Sequence, residues 1–552
     1  MAEDNYWLRS VRGGQMNRRR FIGGAAVAGV GAAALGLVGC GDDDDDASTA
    51  TTAPSGASPS ASVATVPKRR GGILNINGTN FSKLEAVTGT GGNDHQYLWT
   101  VFDNLVGYGS DFAPDAKRSL AQTWENPDPL TWIFKLRSGV KFHDGTPFDA
   151  TAVQKNFVYA TDPGVASNVK SDLASIERVD VVDPLTVVYK LKTPTPGLVA
   201  TLGDRAGFMS SPTAITKWGK DYGLNPVGTG PFIHEEYVKD DHTKVKRNPE
   251  YWGKDDAGGA LPYLDGILWK NVAQPAAAVA ALKTGELHVM WGLPGQFIKE
   301  LQADSNFQVF NEPGAAGSFF YMNHTRAPFN NVNLRRAVAF AFPREPIINT
   351  VFFGAAVPAL GNIGPAHWAH DPKQRRQTVD EKIVRDSLQK AGVPNGFSFE
   401  MSVSSDPSTV QEGELIQAAA KQFGIDVKLR ALGTPDFYLR YIEDGFADAM
   451  NAGLSARADP TIYFKFNYHS TGTYRKTVTN ENDAEIDALS QIADREAQKR
   501  AISKLQQRLN DDAYSAYIRH ANTVAAVHKK VHTVVFADGK PHLGFGDVWL
   551  EA

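Results

Sequence analysis

Few residues in this chain have the type and spacing to do covalent chemistry. His143-Asp144 reads as a charged pair able to pass a proton, yet Gly145, Thr146 and Pro147 follow directly, and that run is a turn. Ser455 stands in Gly453-Leu454-Ser455-Ala456-Arg457, which has the first glycine of a nucleophile elbow and lacks the second. His367 and His370 could share a metal on one face of a helix, but Gly364 and Pro365 beside them argue for a loop with the histidines at the surface. Gly228-Thr229-Gly230 lacks the third glycine and the Lys-Ser/Thr of a phosphate cradle, and it reads as a backbone crossing. No His-Glu-x-x-His occurs. These residues predict no enzyme: no catalytic residue, no metal and no cofactor is assigned.

Cys40 is different. It is the only cysteine of the 552 residues, so no internal disulfide or cysteine metal cluster can form. Leu37-Val38-Gly39-Cys40 matches a lipobox, where a bacterial signal is cut and the cysteine acylated; an idle thiol is the competing reading. Upstream, Asn17-Arg18-Arg19-Arg20-Phe21-Ile22 looks like a twin-arginine export motif, with Arg18 and Arg19 as its pair. The Gly- and Ala-rich run 21–38 is too weakly hydrophobic for a membrane span and reads as the core of an export signal. Residues 1–40 are therefore assigned as a lipoprotein signal peptide, with Met16 as an alternative start. Acyl chains contribute about 0.8 kcal/mol per buried methylene, enough to hold a multiply acylated Cys40 at a membrane. Residues 41–69, with Asp at 42–46 and then Ser, Thr, Ala and Pro, cannot bury a core and form a flexible tether. A net charge of −4 argues against a nucleic-acid surface.

The elements that would position a site begin at 131–148. Trp132, Phe134 and Leu136 share one face of an alternating strand, and Asp144-Gly145-Thr146-Pro147 turns the chain. Asp149 then caps a helix carrying Val153 and Phe157 on one side. After the turn Asp183-Pro184-Leu185, Val187, Tyr189 and Leu191 repeat the alternation. Helices are expected over 275–282 and 333–342, and around Ile486, Leu489, Ile492 and Ile502, Leu505, Leu509.

The wording of these segments carries a resemblance. Leu136-Arg137-Ser138-Gly139-Val140-Lys141-Phe142-His143-Asp144-Gly145-Thr146-Pro147-Phe148 closely resembles the signature of the peptide/nickel family of extracellular solute-binding proteins, family 5, the ligand-catching subunits of ABC importers. Similar to further family blocks are Asp103-Asn104-Leu105-Val106, Leu120-Ala121-Gln122-Thr123-Trp124-Glu125, Pro226-Val227-Gly228-Thr229-Gly230-Pro231-Phe232 and Arg247-Asn248-Pro249-Glu250-Tyr251-Trp252. The likeness runs from about 70 to 531. It implies an α/β, two-lobed periplasmic-binding-protein-like fold of the class II (cluster C) type, with hinge strands between the lobes and an extra inserted small domain. Lobe I would comprise 70–113, 227–313 and 521–552, the inserted subdomain 114–226, and lobe II 314–520. The glycines at 228 and 230 would then mark a backbone crossing between lobes.

The implied function is capture of a small solute (peptide, peptide-like or a metal chelate) between the lobes, and its delivery to ABC permeases and their ATPases. The implied protein is a monomer, lipid-anchored through Cys40 to the outer face of the cytoplasmic membrane. A lipid-anchored sensor without transport, or an extracellular hydrolase, are the alternatives. By family position the cleft candidates are Thr88, Thr90, Asn93 and Tyr97, then Ser404, Ser405 and Asp406, then Gly453, Leu454, Ser455, Arg457 and Asp459. Peptide-binding relatives hold the ligand's ammonium with an Asp four residues before a Pro, where this chain has Ala456, and dipeptide binders hold the carboxylate with an Arg where it has Val403. Both charge clamps are missing, and Arg457 or Asp406 could replace them. Tyr463, Phe464, Phe466 and Tyr468 are expected to be a packed face rather than a stacking platform.

Overall fold

The alternating strand at 131–136 sits where its side chains require. Phe134 and Leu136 are buried, Lys135 is exposed, and the buried Thr131 accepts a hydrogen bond from Lys190 Nζ at 2.9 Å. Throughout, the computed structural model describes residues 67–551 except 79–80, 82, 90–93, 110–113, 434–435, 439, 442–444, 446, 456, 458, 493, 535, 538–539 and 542–544. Cys40, Arg18 and Arg19, with the signal and tether, lie outside the described residues.

The strands are β1 (Ile73–Asn77), β2 (Ala121–Asp128), β3 (Thr131–Leu136), β4 (Ile176–Asp183), β5 (Thr186–Leu191), β6 (Phe232–Val238), β7 (His242–Arg247), β8 (Gly266–Lys270), β9 (Val289–Trp291), β10 (Phe307–Met322), β11 (Ala356–Pro358), β12 (Ser398–Ser404), β13 (Asp426–Leu432), β14 (Ala449–Leu454) and β15 (Ser515–His528). One sheet runs in the order β13-β12-β14-β10-β15-β9-β1-β8-β7-β6, with β11 against β15. In lobe I, β1 lies parallel between β8 and β9; in lobe II, β12 lies parallel between β13 and β14. The antiparallel pair β10 and β15 is long enough to serve both lobes, and its register breaks between Pro313 and Gly317 and again between Ser318 and Phe319. Such breaks leave ladder bonds unmade and let two strands bend together, which suits a hinge.

Each part has its own apolar core. Leu74, Ile76, Tyr97 and Trp269 pack in lobe I, and Phe320, Met401, Val403 and Ile416 pack in lobe II. The inserted subdomain is the separate sheet β2-β3-β5-β4, closed by the helix Ala150–Thr161 around Phe134, Val153, Val187 and Tyr189. Asp149 caps that helix by accepting from Ala152 N at 2.9 Å.

The turn after β3 fastens the subdomain to lobe I. Gly145 has φ of 82°, a left-handed value that favours glycine. The Asp144 carboxylate accepts from Thr146 N at 3.0 Å and from Ser211 Oγ at 2.5 Å. His143 N donates to Gly228 O at 2.9 Å and His143 Nε2 meets Gly230 O at 2.9 Å. Burial pushes the His143 imidazole down to about 4, so it is a neutral hydrogen-bonding strut. Gly228 and Gly230 do mark a crossing, but inside lobe I rather than between lobes. A Cβ at Gly228 would stand 2.1 Å from Val101 O, so only glycine lets these backbones meet.

Candidate functional site

The lobe I wall is built by cross-tying a loop to the inserted subdomain. Asn168 Nδ2 donates to Thr88 O at 3.0 Å and Gly89 O at 3.1 Å, and Asn168 N donates to Val87 O at 2.8 Å. Arg205 Nη2 pairs with Asp94 Oδ1 at 2.6 Å, while its Nη1 donates to Ala86 O at 3.2 Å. His95 Nε2 lies 2.8 Å from Asp204 Oδ1, and Asn104 Nδ2 donates to Asp204 O at 2.7 Å. These ties fix Asp204, and with it the wall that also carries Asp172 and Thr201.

The lobe II wall is the segment leaving β14. Asp459 caps the helix Pro460–Tyr468, its Oδ1 accepting from Thr461 N at 2.8 Å and Thr461 Oγ1 at 2.7 Å. Arg457 is pinned by its backbone: its N donates to Tyr463 Oη at 2.7 Å and its O meets His367 Nε2 at 3.1 Å. Tyr463, Phe464 and Tyr468 are buried in the lobe II core, whereas Ile462 and Phe466 are half-buried on the cleft side.

Between these walls is a cavity of about 200 Å³ bordered by Asp172, Thr201 and Asp204 on one side and Arg457, Asp459 and Phe466 on the other. Lobe I and lobe II also touch directly beside it. Gln491 Nε2 donates to Pro194 O at 3.4 Å, and a Cβ placed on Gly197 would lie 2.3 Å from Asp459 Oδ2. Burial raises the Asp459 carboxyl pKa, against the lowering effect of the Thr461 hydrogen bonds. Burial likewise raises Asp172; Arg457 across the gap opposes this and Asp204 adds to it. A second cavity, about 350 Å³, lies near Trp99, Asp103 and Trp252. It is lined by charges already matched to each other, among them Arg118 with Asp115 at 3.4 Å and Lys117 with Asp256 at 3.5 Å.

Of the residues expected in the cleft, Arg457 and Asp459 line the cavity. Thr88 spends its hydroxyl on Glu85 and on Lys83 Nζ at 3.1 Å. Tyr97 is fully buried, its Oη 2.8 Å from His234 Nδ1, so it belongs to the lobe I core rather than the cleft. Thr90 and Asn93 lie outside the described residues, as does Ala456. Ser404 ends β12, Ser405 N donates to Leu432 O at 2.9 Å, and Asp406 caps the helix Pro407–Lys421 through Ser408 N at 3.0 Å. Gly453 is exposed opposite Ser318 on β10, Leu454 packs into the lobe II core, and Ser455 is exposed. Val403, the position aligned with the carboxylate-holding Arg, is wholly buried in the lobe II core and faces no cleft.

Sequence reasoning missed Asp172 and Asp204, which sit in loops with no local signature and reach the cavity only through tertiary folding. It placed His367 at the surface; the structure buries it as the support of Arg457 O, and His370 Nδ1 meets Ile363 O at 2.9 Å. Phe466, expected to pack with its aromatic neighbours, partly faces the cavity. Among the described residues no group of His, Cys, Asp or Glu could hold a metal ion.

Two lobes, a paired-strand hinge and a charged cavity between them define a solute-binding protein of the periplasmic type. Residues 115–475 match the family model for bacterial extracellular solute-binding proteins, family 5 Middle, and the chain belongs to that family. It is 32% identical over 357 residues to the glutathione-binding protein GsiB of Escherichia coli O6:K15:H31, covering 64% of this chain and 68% of that one. In fold it is similar to the periplasmic binding protein DppA from Helicobacter pylori in complex with peptide STSA, with a TM-score of 0.76, 23% identity, and coverage of 88% of this chain and 99% of that chain. It is also similar to NikA from Staphylococcus aureus in complex with Ni(L-His)2, with a TM-score of 0.71, 18% identity, and coverage of 87% and 100%.

Proposed function

We propose that this chain is the substrate-binding subunit of an ABC importer, which closes two lobes around one small solute and presents the closed form to membrane permeases driven by ATPases. The cavity between Asp172 and Asp204 on one lobe and Arg457 and Asp459 on the other carries the reading, because both walls must come together to complete it. Relatives named for glutathione, a peptide and a nickel chelate are binding proteins, and this chain is read in the same way, as a monomer that makes and breaks no bonds in its solute. Selection works through closure, since a ligand that binds open and closed forms equally shifts nothing. Mass spectrometry of the natively purified protein is expected to find one bound solute, and deleting the gene to abolish uptake of that solute. Undiminished uptake would sink the importer reading.

The family is extracytoplasmic, and no helix among the described residues is long and apolar enough to cross a membrane. We place the protein on the outer face of the cytoplasmic membrane, exported through Arg18-Arg19 and held by acylated Cys40, with 41–69 as the tether. Cys40→Ser is expected to move it from the membrane to the soluble fraction; retention at the membrane would contradict acylation there.

A further inference from the structure

The chemical class of the solute follows from the cavity's unbalanced charge, an inference that rests on the reading of the cleft just given. Three carboxylates border the cavity, Asp172 and Asp204 from the inserted subdomain and Asp459 from lobe II, against one guanidinium, Arg457; Asp204 also meets His95 Nε2 at 2.8 Å. The other nearby cation, Arg205, is committed to Asp94 at 2.6 Å. Among the described residues Asp459 accepts hydrogen bonds from Thr461 N and Oγ1, both neutral donors, and Lys465 is the one cation that lowers its pKa. Asp172 and Arg457 attract one another across the space without forming a direct ion pair among the described residues. A carboxylate withdrawn from water costs several kcal/mol unless a positive charge meets it. Closure with an anionic guest would add to that cost, and closure with a cationic guest would remove it.

Arg457 supplies the opposite requirement. Its Nε is buried and donates to no acceptor among the described residues, although a buried donor left unmade costs about 1–3 kcal/mol. An acceptor oxygen on the guest would satisfy it. Size sets the third condition, since a cavity of about 200 Å³ suits a small molecule. Half-buried Phe466 and Ile462 leave a short apolar wall for a carbon skeleton.

We propose that the cleft takes a small cationic amino compound, its protonated nitrogen held between Asp172 and Asp204 and an acceptor oxygen of the same molecule held by Arg457. Burial raises both Asp172 and Asp459, and a nearby ammonium opposes that rise by its charge. Net-anionic solutes are rejected.

The test is calorimetric titration of the mature protein, freed of co-purified solute, with L-lysine, L-arginine, L-leucine and glutathione. L-lysine or L-arginine is expected to bind at least about tenfold more tightly than L-leucine, with glutathione weakest. Asp172→Asn, at a loop position outside every helix and strand, should cut the cation's affinity about tenfold and collapse its advantage over leucine. Arg457→Gln should weaken lysine and leucine alike. Glutathione binding tightest, no binding of either cation, or an unchanged lysine-to-leucine ratio in Asp172→Asn would each overturn the proposal. An anionic co-purified solute that still closes the lobes would end this inference and leave the importer reading standing; failure of any solute to close them would end both.

Discussion

Lobe II holds two arginines in opposite circumstances. Arg344 is almost wholly buried, and each of its three nitrogens has a partner: Nε donates to Tyr517 O, Nη1 to Phe342 O at 3.2 Å, and Nη2 to Ala339 O and Gln377 Oε1, both at 3.1 Å. Burial pushes its guanidinium down to about 9, and the surrounding carbonyls hold it without a paired carboxylate. Among the described residues Arg457 is held by backbone hydrogen bonds, while its Nε has no acceptor. The first guanidinium ties helix, loop and β15 into a frame. The second, in the account proposed above, is left for a guest. Saturated buried charge builds the lobe, and unsaturated charge at its edge is what a ligand would meet.

The strongest way to break this contrast is to remove the tie. Arg344→Met strands three backbone carbonyls in the core, and it should cost about 3 kcal/mol or more of stability, read as a lowered denaturation midpoint. A loss as small as that of Arg457→Gln would mean the two arginines do not differ as described.

The surrounding signature was legible because its logic is local. The alternation of β3, the glycine turn at 145 and the cap at Asp149 are each written in adjacent residues, and they recur where expected. The helix Pro460–Tyr468 and its cap at Asp459 went unread, although Asp-Pro before an apolar run is a helix start. The cavity's lobe I wall was not legible. Asp172 and Asp204 acquire their meaning from Asn168 reaching Thr88 across 80 residues of chain and from His95 reaching Asp204 across 109. Tyr97 misled for the converse reason: an aromatic after a polar loop looks like cleft lining, but helix periodicity turns it onto Phe81 and Trp269 in the core.

A second, smaller test separates frame from cleft by pH. His143, His234 and His520 are each pushed down to about 4 by burial. The native state keeps them neutral, whereas the unfolded chain takes up protons below about 6.5. Stability is therefore complete above pH 6.5 and falls as pH drops from there towards 4, by about 1.4 kcal/mol per pH unit for each histidine across that window. His143→Gln and His520→Gln should flatten the decline in melting temperature. A melting temperature constant from pH 6.5 to 4.5 would contradict the structural role given to these rings.

The central claim is that lobes shut on a solute held between Asp204 and Arg457. Small-angle X-ray scattering of the mature protein with and without its co-purified solute tests it most directly, with Gly197→Val measured alongside. Gly197 has φ of −74°, which any residue tolerates, so the added side chain is felt only where Asp459 closes onto it. The wild type should shrink in radius of gyration when the solute is added, while Gly197→Val stays expanded and binds more weakly. A solute that binds tightly with no change in radius, in wild type and variant alike, would contradict the account.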